Sequence, residues 1–530
     1  MARMNRRDFL KYATIGAGGL ILPMGLQQAL GHGEHAHSHS ATRRAGVSAG
    51  DITSPVVAKF QVPLPRPPVV QPVSRDATTD YYEITMKEGR QQILPGLTTT
   101  IWGYNGVYPG PTIEATRGRR VVAKFTNTLP EAMSVHYHGG ITAPEHDGYA
   151  EDIKLSNGQT LPTLIRPGGA WTYQFPNQQA AATNWYHDHG IHYTARHVYQ
   201  GLSGFYLLRD DQEASFNLPR GEFEVPLVLQ DRIFNASGAL VYDNNGHEGV
   251  VGDVQLVNGA PWPRLQVAAR KYRFRLLNGA NWRRYDLQLS NGQPLIQIGT
   301  DAGLLRAPIS LTRLLMFQGE RNDIIIDFSK LPVGTTVKLL NKAPEAVGTR
   351  MEEVMLFEVV RTAVDDSQVP AKLASWEVLT AASATPGLPE RLFKFDRSNG
   401  YYTINGRIWD KNRFDATPRL GTTEIWRFEN SSGGWFHPIH LHLVDFQILD
   451  RTITSDAGSP KQRRVVKAPE AWERGRKDVV ALGESQEVRV IIKWDAAKYQ
   501  NFTGPYMIHC HNIDHEDHDM MTQYNLLPAA

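Results

Sequence analysis

The segment around the only cysteine constrains the possible fold most strongly. Cys510 lies between His509 and His511, His515 follows five residues after it, and Met520 follows ten residues after it. Because a β-strand turns successive side chains to opposite faces, a strand here would place His509 and His511 on one face and Cys510 on the other. One strand would then supply a thiolate to one metal site and imidazoles to a second.

Ten of the nineteen histidines lie in four short motifs. The motifs are His136-Tyr137-His138, His187-Asp188-His189, His437-Pro438-Ile439-His440-Leu441-His442, and the segment from His509 to His515. A single His-x-His pair on a strand could be polar surface. Three such pairs and a His-Cys-His predict instead that the two ends of the chain each contribute four imidazoles to one cluster. Eight imidazoles match three metal ions.

The remaining candidate ligands predict a separate site. Cys510, His437 and His515 supply one thiolate and two imidazoles, and Met520 or Met521 could add a weak axial thioether. This donor set is typical of blue-copper electron-transfer sites. Zinc is the chemical rival, but it takes a closed tetrahedron or one open position and would not require eight further histidines nearby.

The rest of the chain has the sequence pattern of an all-β protein. After Tyr81, short apolar runs are separated by Gly, Pro, Asn and Asp, and few sustained helical periods are present. Strands are predicted at Val121–Phe125, Tyr272–Leu277 and Glu487–Ile492. Short strands separated by turn residues favour β-sandwiches.

A weak internal repeat predicts three sandwiches. Turns at Pro109-Gly110-Pro111, Asn258-Gly259 and Asn405-Gly406 each precede a predicted strand. Each of these strands ends in a basic residue, an apolar residue, one further residue and Asn. The offsets of about 150 residues suit one domain for each copy. The predicted division is an export signal and His-rich disordered segment (1–40), a Pro-rich linker or strap (41–80), a first domain (81–215), a second domain without metal (216–365), a connector (366–392) and a third domain (393–530).

The N-terminus predicts export. Asn5–Lys11 contains the twin arginine Arg6-Arg7, and a weakly apolar run follows from Ala13 to Leu30. This pattern resembles a twin-arginine signal, whose machinery carries folded proteins out of the cytoplasm to the periplasm or beyond. Pro23 and several glycines in the run argue against a stable membrane anchor. The histidines of residues 32–39 could capture metal weakly or belong to a disordered segment.

The net charge argues against nucleic-acid binding, and the cysteine content excludes an intrachain disulfide. The formal net charge is +2, and no basic run predicts nucleic-acid binding. One cysteine allows no intrachain disulfide. A monomer is expected.

The four histidine motifs, in this order, resemble those of the multicopper oxidases. Trp185–His189, His437–Phe446 and His511–Met521 look most similar to the branch of bilirubin oxidases and spore-coat laccases, as does the stretch from Gly252 to Gly259. The similarity covers roughly residues 80 to 528.

This resemblance implies three cupredoxin-like Greek-key β-sandwich domains and four copper ions. The ligands carried over are His437, Cys510, His515 and Met520 for type-1 copper; His136 and His440 for type-2 copper; and His138, His187, His189, His442, His509 and His511 for the type-3 pair. The implied reaction oxidises phenols, aromatic amines or bilirubin-like substrates by single electrons and reduces dioxygen to water. Electrons would enter near His515 and pass through Cys510 to the flanking histidines.

Oxygen reduction also consumes protons, which nearby carboxylates could relay. Asp147 and Glu516 are the candidates, and a solvated or capping acid is the alternative for each. Asp188 lies between two ligands and is expected to be structural. His192 and His197 are expected in packing contacts or at the surface. His518 is expected at the surface or in a hydrogen bond beside the type-1 site. Trp435 could form a wall of the type-1 site or pack in the core.

Two other functions remain open at this point. A cuprous or other metal-ion oxidase fits the ligand motifs, but such enzymes often carry a Met-rich insert, whereas the eleven methionines here are spread thinly. A non-catalytic cupredoxin-fold scaffold would need lost ligands, and no ligand of the pattern is missing.

Overall fold

The computed structural model describes residues 54–154, 158–398, 400–432, 434–455 and 462–530. The predicted twin-arginine segment and the His-rich segment lie outside the described residues. Nearly all the regular structure that is described consists of β-strands. The prediction of an all-β fold is confirmed.

Eleven strands occupy residues 74–209. They are β1 (Ser74–Arg75), β2 (Thr79–Gln91), β3 (Thr99–Tyr104), β4 (Gly110–Thr116), β5 (Arg120–Asn127), β6 (Val135–His138), β7 (Ile153–Lys154), β8 (Thr160–Leu161), β9 (Ala170–Phe175), β10 (Ala182–Asp188) and β11 (Ser203–Arg209). One sheet has the order β1-β2-β5-β9 with β3 beside β2, and a second has the order β4-β11-β10-β6.

Twelve strands follow in residues 224–362. They are β12 (Glu224–Arg232), β13 (Val254–Val257), β14 (Ala260–Pro261), β15 (Arg264–Ala269), β16 (Lys271–Asn278), β17 (Tyr285–Leu289), β18 (Leu295–Thr300), β19 (Gly303–Leu311), β20 (Leu314–Met316), β21 (Arg321–Asp327), β22 (Thr336–Asn341) and β23 (Glu353–Thr362). They form sheets of the order β14-β13-β12-β16-β21-β18-β19 and β15-β23-β22-β17-β20.

Ten strands complete the chain. They are β24 (Arg391–Ser398), β25 (Tyr401–Ile404), β26 (Thr423–Asn430), β27 (His437–Leu441), β28 (Gln447–Ser455), β29 (Arg463–Lys467), β30 (Val479–Leu482), β31 (Gln486–Lys493), β32 (Gly504–Cys510) and β33 (Met521–Leu526). They form sheets of the order β25-β24-β26-β31-β28-β29 and β30-β27-β32-β33. The sheets thus follow one another in three sequence blocks, and the exact domain bounds stay a prediction.

Helices are short in the described part of the chain. The α-helices are α1 (Thr194–Gln200), α2 (Asp211–Ser215) and α3 (Ile513–Glu516), and 3-10 turns lie at Pro144–His146, Gly221–Phe223, Arg350–Glu352, Ala381–Ser383 and Ala471–Glu473. Among the residues described, none of these helices has the length and apolar character needed to cross a membrane.

The strands form where apolar and polar side chains alternate. In β5, Val121, Ala123 and Phe125 are buried, whereas Arg120 and Lys124 are exposed. This alternation buries one face of the sheet and leaves the other in contact with water. The predicted strands at Val121–Phe125, Tyr272–Leu277 and Glu487–Ile492 are confirmed as parts of β5, β16 and β31.

The described part of the Pro-rich segment runs along the surface of later strands. Leu64 N–H donates to the carbonyl of Arg264 at 2.8 Å, and Val70 N–H donates to the carbonyl of Thr112 at 2.9 Å. Because the prolines of this segment have no N–H to donate, their neighbours make these contacts.

The histidine motifs lie on, or directly after, strands of two sheets. Pairing of β6 with β10 sets His136 opposite His187. Pairing of β27 with β32 sets His440 opposite His509. Side chains of both sheets meet where these strands end, and the candidate centres lie there.

Candidate metal centres

The first centre, called the thiolate centre here, contains His437, Cys510 and His515. The Cys510 Sγ lies 3.4 Å from His437 Nδ1 and 3.7 Å from His515 Nδ1. The two Nδ1 atoms are 3.3 Å apart. All three residues are buried. Both histidines therefore direct the same ring nitrogen towards the sulfur, as three ligands of one ion would.

Burial sets the protonation states of the thiolate centre. It lowers the pKa of His437 to about 3 and the pKa of His515 well below its usual value, so both imidazoles are neutral and can donate a lone pair. Burial also raises the pKa of the Cys510 thiol. A thiolate at this position thus requires a bound cation, which fits a soft transition metal.

Three neighbouring side chains hold the ring of His515 in place. Its Nε2 lies 2.9 Å from the side-chain amide of Asn512. Tyr402 stacks on the ring at 4.0 Å between centroids, and Trp435 meets it edge-on at 5.5 Å. His515 is 0% exposed. The electron entry predicted at its edge would therefore have to pass the side chains that cover the ring.

Met520 is the better placed of the two candidate axial ligands. Its side chain belongs to the same buried cluster as Cys510, and its carbonyl accepts from the N–H of Cys510 at 3.1 Å. Met521 packs in another cluster, with Tyr149 and Met507. Axial ligation by Met520 stays a prediction.

The second centre, called the histidine cluster here, contains the eight other predicted ligands. Their ring nitrogens form three groups in which all ligand atoms lie within 4.8 Å of one another: His136, His138 and His440; His138, His187 and His511; His189, His442 and His509. The last two groups include all six residues predicted for the type-3 pair. The first contains the two predicted type-2 ligands together with His138.

The donor set of the histidine cluster fits transition-metal ions. Burial is the main cause that lowers the pKa of seven of these histidines: His136, His138, His187, His189, His440, His442 and His511. Within the described part of the chain, His187 Nε2 and both ring nitrogens of His511 are buried without a hydrogen-bond partner. Buried polar atoms normally have partners, so these orphaned nitrogens fit positions for bound metal.

Asp147 contacts the histidine cluster from one side. Its Oδ2 lies 2.6 Å from His442 Nδ1, and its Oδ1 lies 3.7 Å from His136 Nδ1 and 3.4 Å from the hydroxyl of Thr142. Burial raises the pKa of Asp147 well above its usual value. This carboxyl group can therefore hold a proton beside the cluster.

Glu516 contacts the opposite side. Its Oε2 lies 2.9 Å from His509 Nδ1, and its Oε1 lies 3.6 Å from His189 Nδ1. Burial raises the pKa of Glu516, but the nearby His509 and His189 outweigh it and leave the pKa below its usual value. The carboxylate therefore stays ionised and can orient both rings.

Sequence reasoning missed a buried ion pair beside the cluster. Asp478 Oδ1 lies 3.2 Å from His138 Nε2, and the carbonyl of Asp478 lies 2.9 Å from His440 Nδ1. Arg321 donates from Nη1 to Asp478 Oδ1 at 2.6 Å. Burial raises the pKa of Asp478 to about 6 although Arg321 opposes the shift. Arg321 lies on β21, so the middle block does more than separate the other two. No motif marks either residue in the sequence.

Asp188 fixes the backbone between two ligands. Its carboxylate accepts from the N–H of Ser134 at 2.9 Å and of Gly190 at 3.2 Å, and it pairs with His197 Nδ1 at 2.8 Å. His197 also contacts Glu131 at 2.8 Å through Nε2. Burial lowers the pKa of His197, but the two carboxylates outweigh it and raise the pKa.

Comparison with known proteins identifies relatives over nearly the whole described chain. Family models described as multicopper oxidase match residues 85–213 and 383–529. The chain is 38% identical to a bilirubin oxidase of Albifimbria verrucaria, over 89% of this chain and 82% of that protein. It is 35% identical to a laccase of Bacillus subtilis, over 87% of this chain and 97% of the laccase. A crystal structure of a multi-copper oxidase from Pediococcus acidilactici superimposes with a TM-score of 0.77 at 28% identity, covering 91% and 94% of the two chains.

Proposed function

Because the chain belongs to the multicopper oxidase family, we propose that it holds four copper ions and oxidises phenols, aromatic amines or bilirubin-like molecules while reducing dioxygen to water. The thiolate centre would hold one copper ion and the histidine cluster three. The observation that carries this proposal is the convergence of eleven predicted ligands into groups of the required composition. When bound, copper supplies the one-electron redox chemistry at the thiolate centre and the oxygen chemistry at the cluster.

The strand β32 gives the chain's own contribution to electron transfer. Cys510 belongs to the thiolate centre, and its neighbours His509 and His511 belong to two different groups of the histidine cluster. The two centres are therefore joined by a few covalent bonds of one strand. Burial of both centres excludes water from this connection.

Asp147 and Glu516 would manage protons at the histidine cluster. Asp147, with its raised pKa, is suited to hold and deliver a proton, whereas Glu516, with its lowered pKa, stays ionised and is suited to orient His509 at the end of the relay. Asn has the same shape as Asp147 but carries no carboxyl proton that it could donate. We expect Asp147→Asn to slow oxygen uptake by about 10²–10⁴-fold, the usual contribution of one acid–base group. Equal slowing of substrate oxidation under anaerobic single-turnover conditions would contradict the proton role.

The copper assignment is tested by spectroscopy of the copper-loaded protein. We expect an intense blue absorption together with type-1 and type-2 signals in electron paramagnetic resonance. Cys510→Ser should abolish the blue absorption and turnover while the histidine cluster keeps its copper. A colourless wild-type protein with four bound coppers would overturn the assignment of the thiolate centre.

The substrate class is tested by oxygen uptake with a panel of donors. A phenol, an aromatic amine, bilirubin and cuprous ion should be compared at equal concentration, with kcat/KM as the measure. The proposal expects the organic donors to be preferred. Preference for cuprous ion would make the protein a metal-ion oxidase with the same copper centres.

Export and oligomeric state complete the proposal. The twin arginine at Arg6-Arg7 would direct the folded monomer through the twin-arginine machinery to the periplasm or the outside. Replacement of both arginines by lysine should leave the protein in the cytoplasm. Fractionation of cells that produce each form distinguishes the two outcomes.

A further inference from the structure

One buried carboxylate of the middle block lies behind the residues that contact two candidate ligands. Asp301 directly follows β18 and is 0% exposed. Its Oδ1 accepts from the N–H of Arg321 at 2.8 Å, and its Oδ2 accepts from the N–H groups of Asp478 at 3.2 Å and Val479 at 3.3 Å. Lys477 Nζ lies 2.9 Å from the same Oδ2. One side chain of the middle block therefore fixes the backbone of the third block at this point.

The fixed backbone leads directly to a candidate ligand. Asp478 immediately precedes β30, whose first residue, Val479, pairs with His440 on β27. The carbonyl of Asp478 lies 2.9 Å from His440 Nδ1, and His440 Nε2 faces His136 Nε2 at 3.3 Å. Because Asp301 holds the N–H groups of Asp478 and Val479, it sets where this carbonyl meets the His440 ring.

The side chain of Asp478 contacts a second candidate ligand. Its Oδ1 lies 3.2 Å from His138 Nε2, whereas His138 Nδ1 is buried without a hydrogen-bond partner in the described part of the chain. Since the carboxylate engages Nε2, Nδ1 is the nitrogen left for an ion. Arg321 donates to both oxygens of Asp478, from Nη1 at 2.6 Å and from Nη2 at 2.5 Å. Asp301 thus holds both members of the pair that orients this ring.

Stability alone does not explain why these charges are buried together. Lys477 Nζ also pairs with Glu320 at 2.9 Å, and the buried group comprises Asp301, Glu320, Arg321, Lys477 and Asp478. Removing such charges from water costs free energy that their attraction only partly returns, and apolar residues of similar volume often stabilise a fold as well. Charged hydrogen bonds add a fixed direction, which metal-binding histidines need from the groups behind them.

We propose that Asp301 is a positioning residue for the histidine cluster, which it orients through Asp478 and Arg321. This inference rests on the proposed copper content of the cluster. Asp478 contacts one candidate type-2 ligand, His440, and one candidate type-3 ligand, His138. A change at Asp301 therefore reaches both kinds of copper, and the middle block determines how the other two blocks hold the ions.

The test is Asp301→Asn in the full-length, copper-loaded protein. Asn has one amide oxygen, so its NH₂ group must face one of the two sets of donors that the carboxylate accepts from, and those hydrogen bonds are lost. Loss of a group that orients a metal ligand lowers metal affinity about 10–100-fold. We expect a chelator to remove copper from the cluster at a concentration about 10–100-fold lower than for the wild type. The hyperfine splitting of the type-2 signal should also shift, while the blue absorption of the thiolate centre stays unchanged.

Asp365→Asn is the matched control. Asp365 also accepts from two backbone N–H groups, those of Lys271 at 2.9 Å and Ser367 at 3.1 Å, and it pairs with Lys271 Nζ at 3.0 Å. These partners lie at the start of β16 and after the end of β23. The control should lose stability in thermal unfolding but keep the type-2 signal and the chelator sensitivity of the wild type.

Lys477→Gln is a milder second variant. It removes the ion pair behind Asp301 but leaves the backbone hydrogen bonds, so it should shift the same type-2 signal by a smaller amount. A wild-type protein without a type-2 signal would overturn the proposed copper content and this inference with it. Where the wild type shows the signal, the positioning role alone is overturned if Asp301→Asn keeps the hyperfine splitting and chelator sensitivity of Asp365→Asn. Lys477→Gln decides by the same comparison if Asp301→Asn does not fold.

Discussion

Replacing Gly319 by alanine should remove copper from the histidine cluster although Gly319 is no ligand. A Cβ at this position would lie 2.9 Å from Cδ2, 3.0 Å from Cγ and 3.1 Å from Nε2 of His511. Ordinary carbon contacts are about 3.5–4.0 Å, so the ring must retreat by roughly 0.6 Å. Metal–ligand distances tolerate only about 0.2 Å. The imidazole of His511 is therefore pushed out of ligand distance.

A second cost of the substitution has nothing to do with copper. Gly319 has a φ of 80°, a left-handed conformation that costs alanine about 1–2 kcal/mol. Gly334 has a φ of 90° and nothing within 4 Å of an added Cβ. Gly334→Ala therefore carries the same backbone cost without the contact, and it is the control.

Copper content and thermal unfolding separate the two effects. Both variants should lose about 1–2 kcal/mol of unfolding free energy. Only Gly319→Ala should hold less copper than the wild-type protein after dialysis, measured by atomic absorption, and lose oxygen uptake. A Gly319→Ala protein with the copper content and oxygen uptake of Gly334→Ala would refute the placement of His511 as a ligand.

Three further predictions follow from buried contacts. The pKa of His197 is raised, so its contribution to stability is complete below a pH of about 6.5 and is lost as the pH rises through the higher pKa of the folded state. His197→Asn should therefore lower the unfolding midpoint more at about pH 6 than at about pH 9. Equal losses at the two pH values would contradict the pairing of His197 with its carboxylates. Arg321→Met leaves Asp478 buried without its partner, so it should cost about 3–5 kcal/mol of unfolding free energy and lower the copper content. Arg283→Met breaks another buried ion pair and is the control, since it should lower the stability but keep the copper. Met520→Leu should raise the reduction potential of the thiolate centre, measured by redox titration of the blue absorption, and an unchanged potential would exclude axial ligation.

The centres could be predicted because their ligands are concentrated in short motifs. His509, Cys510 and His511 lie on adjacent residues, and strand alternation alone assigns them to two centres. The other histidine pairs repeat the same spacing at the ends of β6, β10 and β27. The all-β fold could be predicted for a related reason, since alternation such as that of β5 is a local property of the sequence.

The contacts around the ligands could not be predicted in this way. Arg321 and Asp478 are 157 residues apart, and each is a single residue of a common type. No sequence pattern points to Tyr402, because its stacking on His515 depends on how β25 approaches α3. Such pairings are set by tertiary packing, which periodicity does not encode.

The histidine cluster also has a consequence for biosynthesis. His136 and His440 belong to one ligand group although 304 residues separate them in the chain. A ribosome that adds about 5–20 residues per second needs roughly 15–60 s to make that interval. During this time the early histidines exist without their partners and offer only four of the eight histidines of the cluster. The cluster can therefore be filled only after translation has nearly ended, and metal captured earlier would be held by incomplete shells.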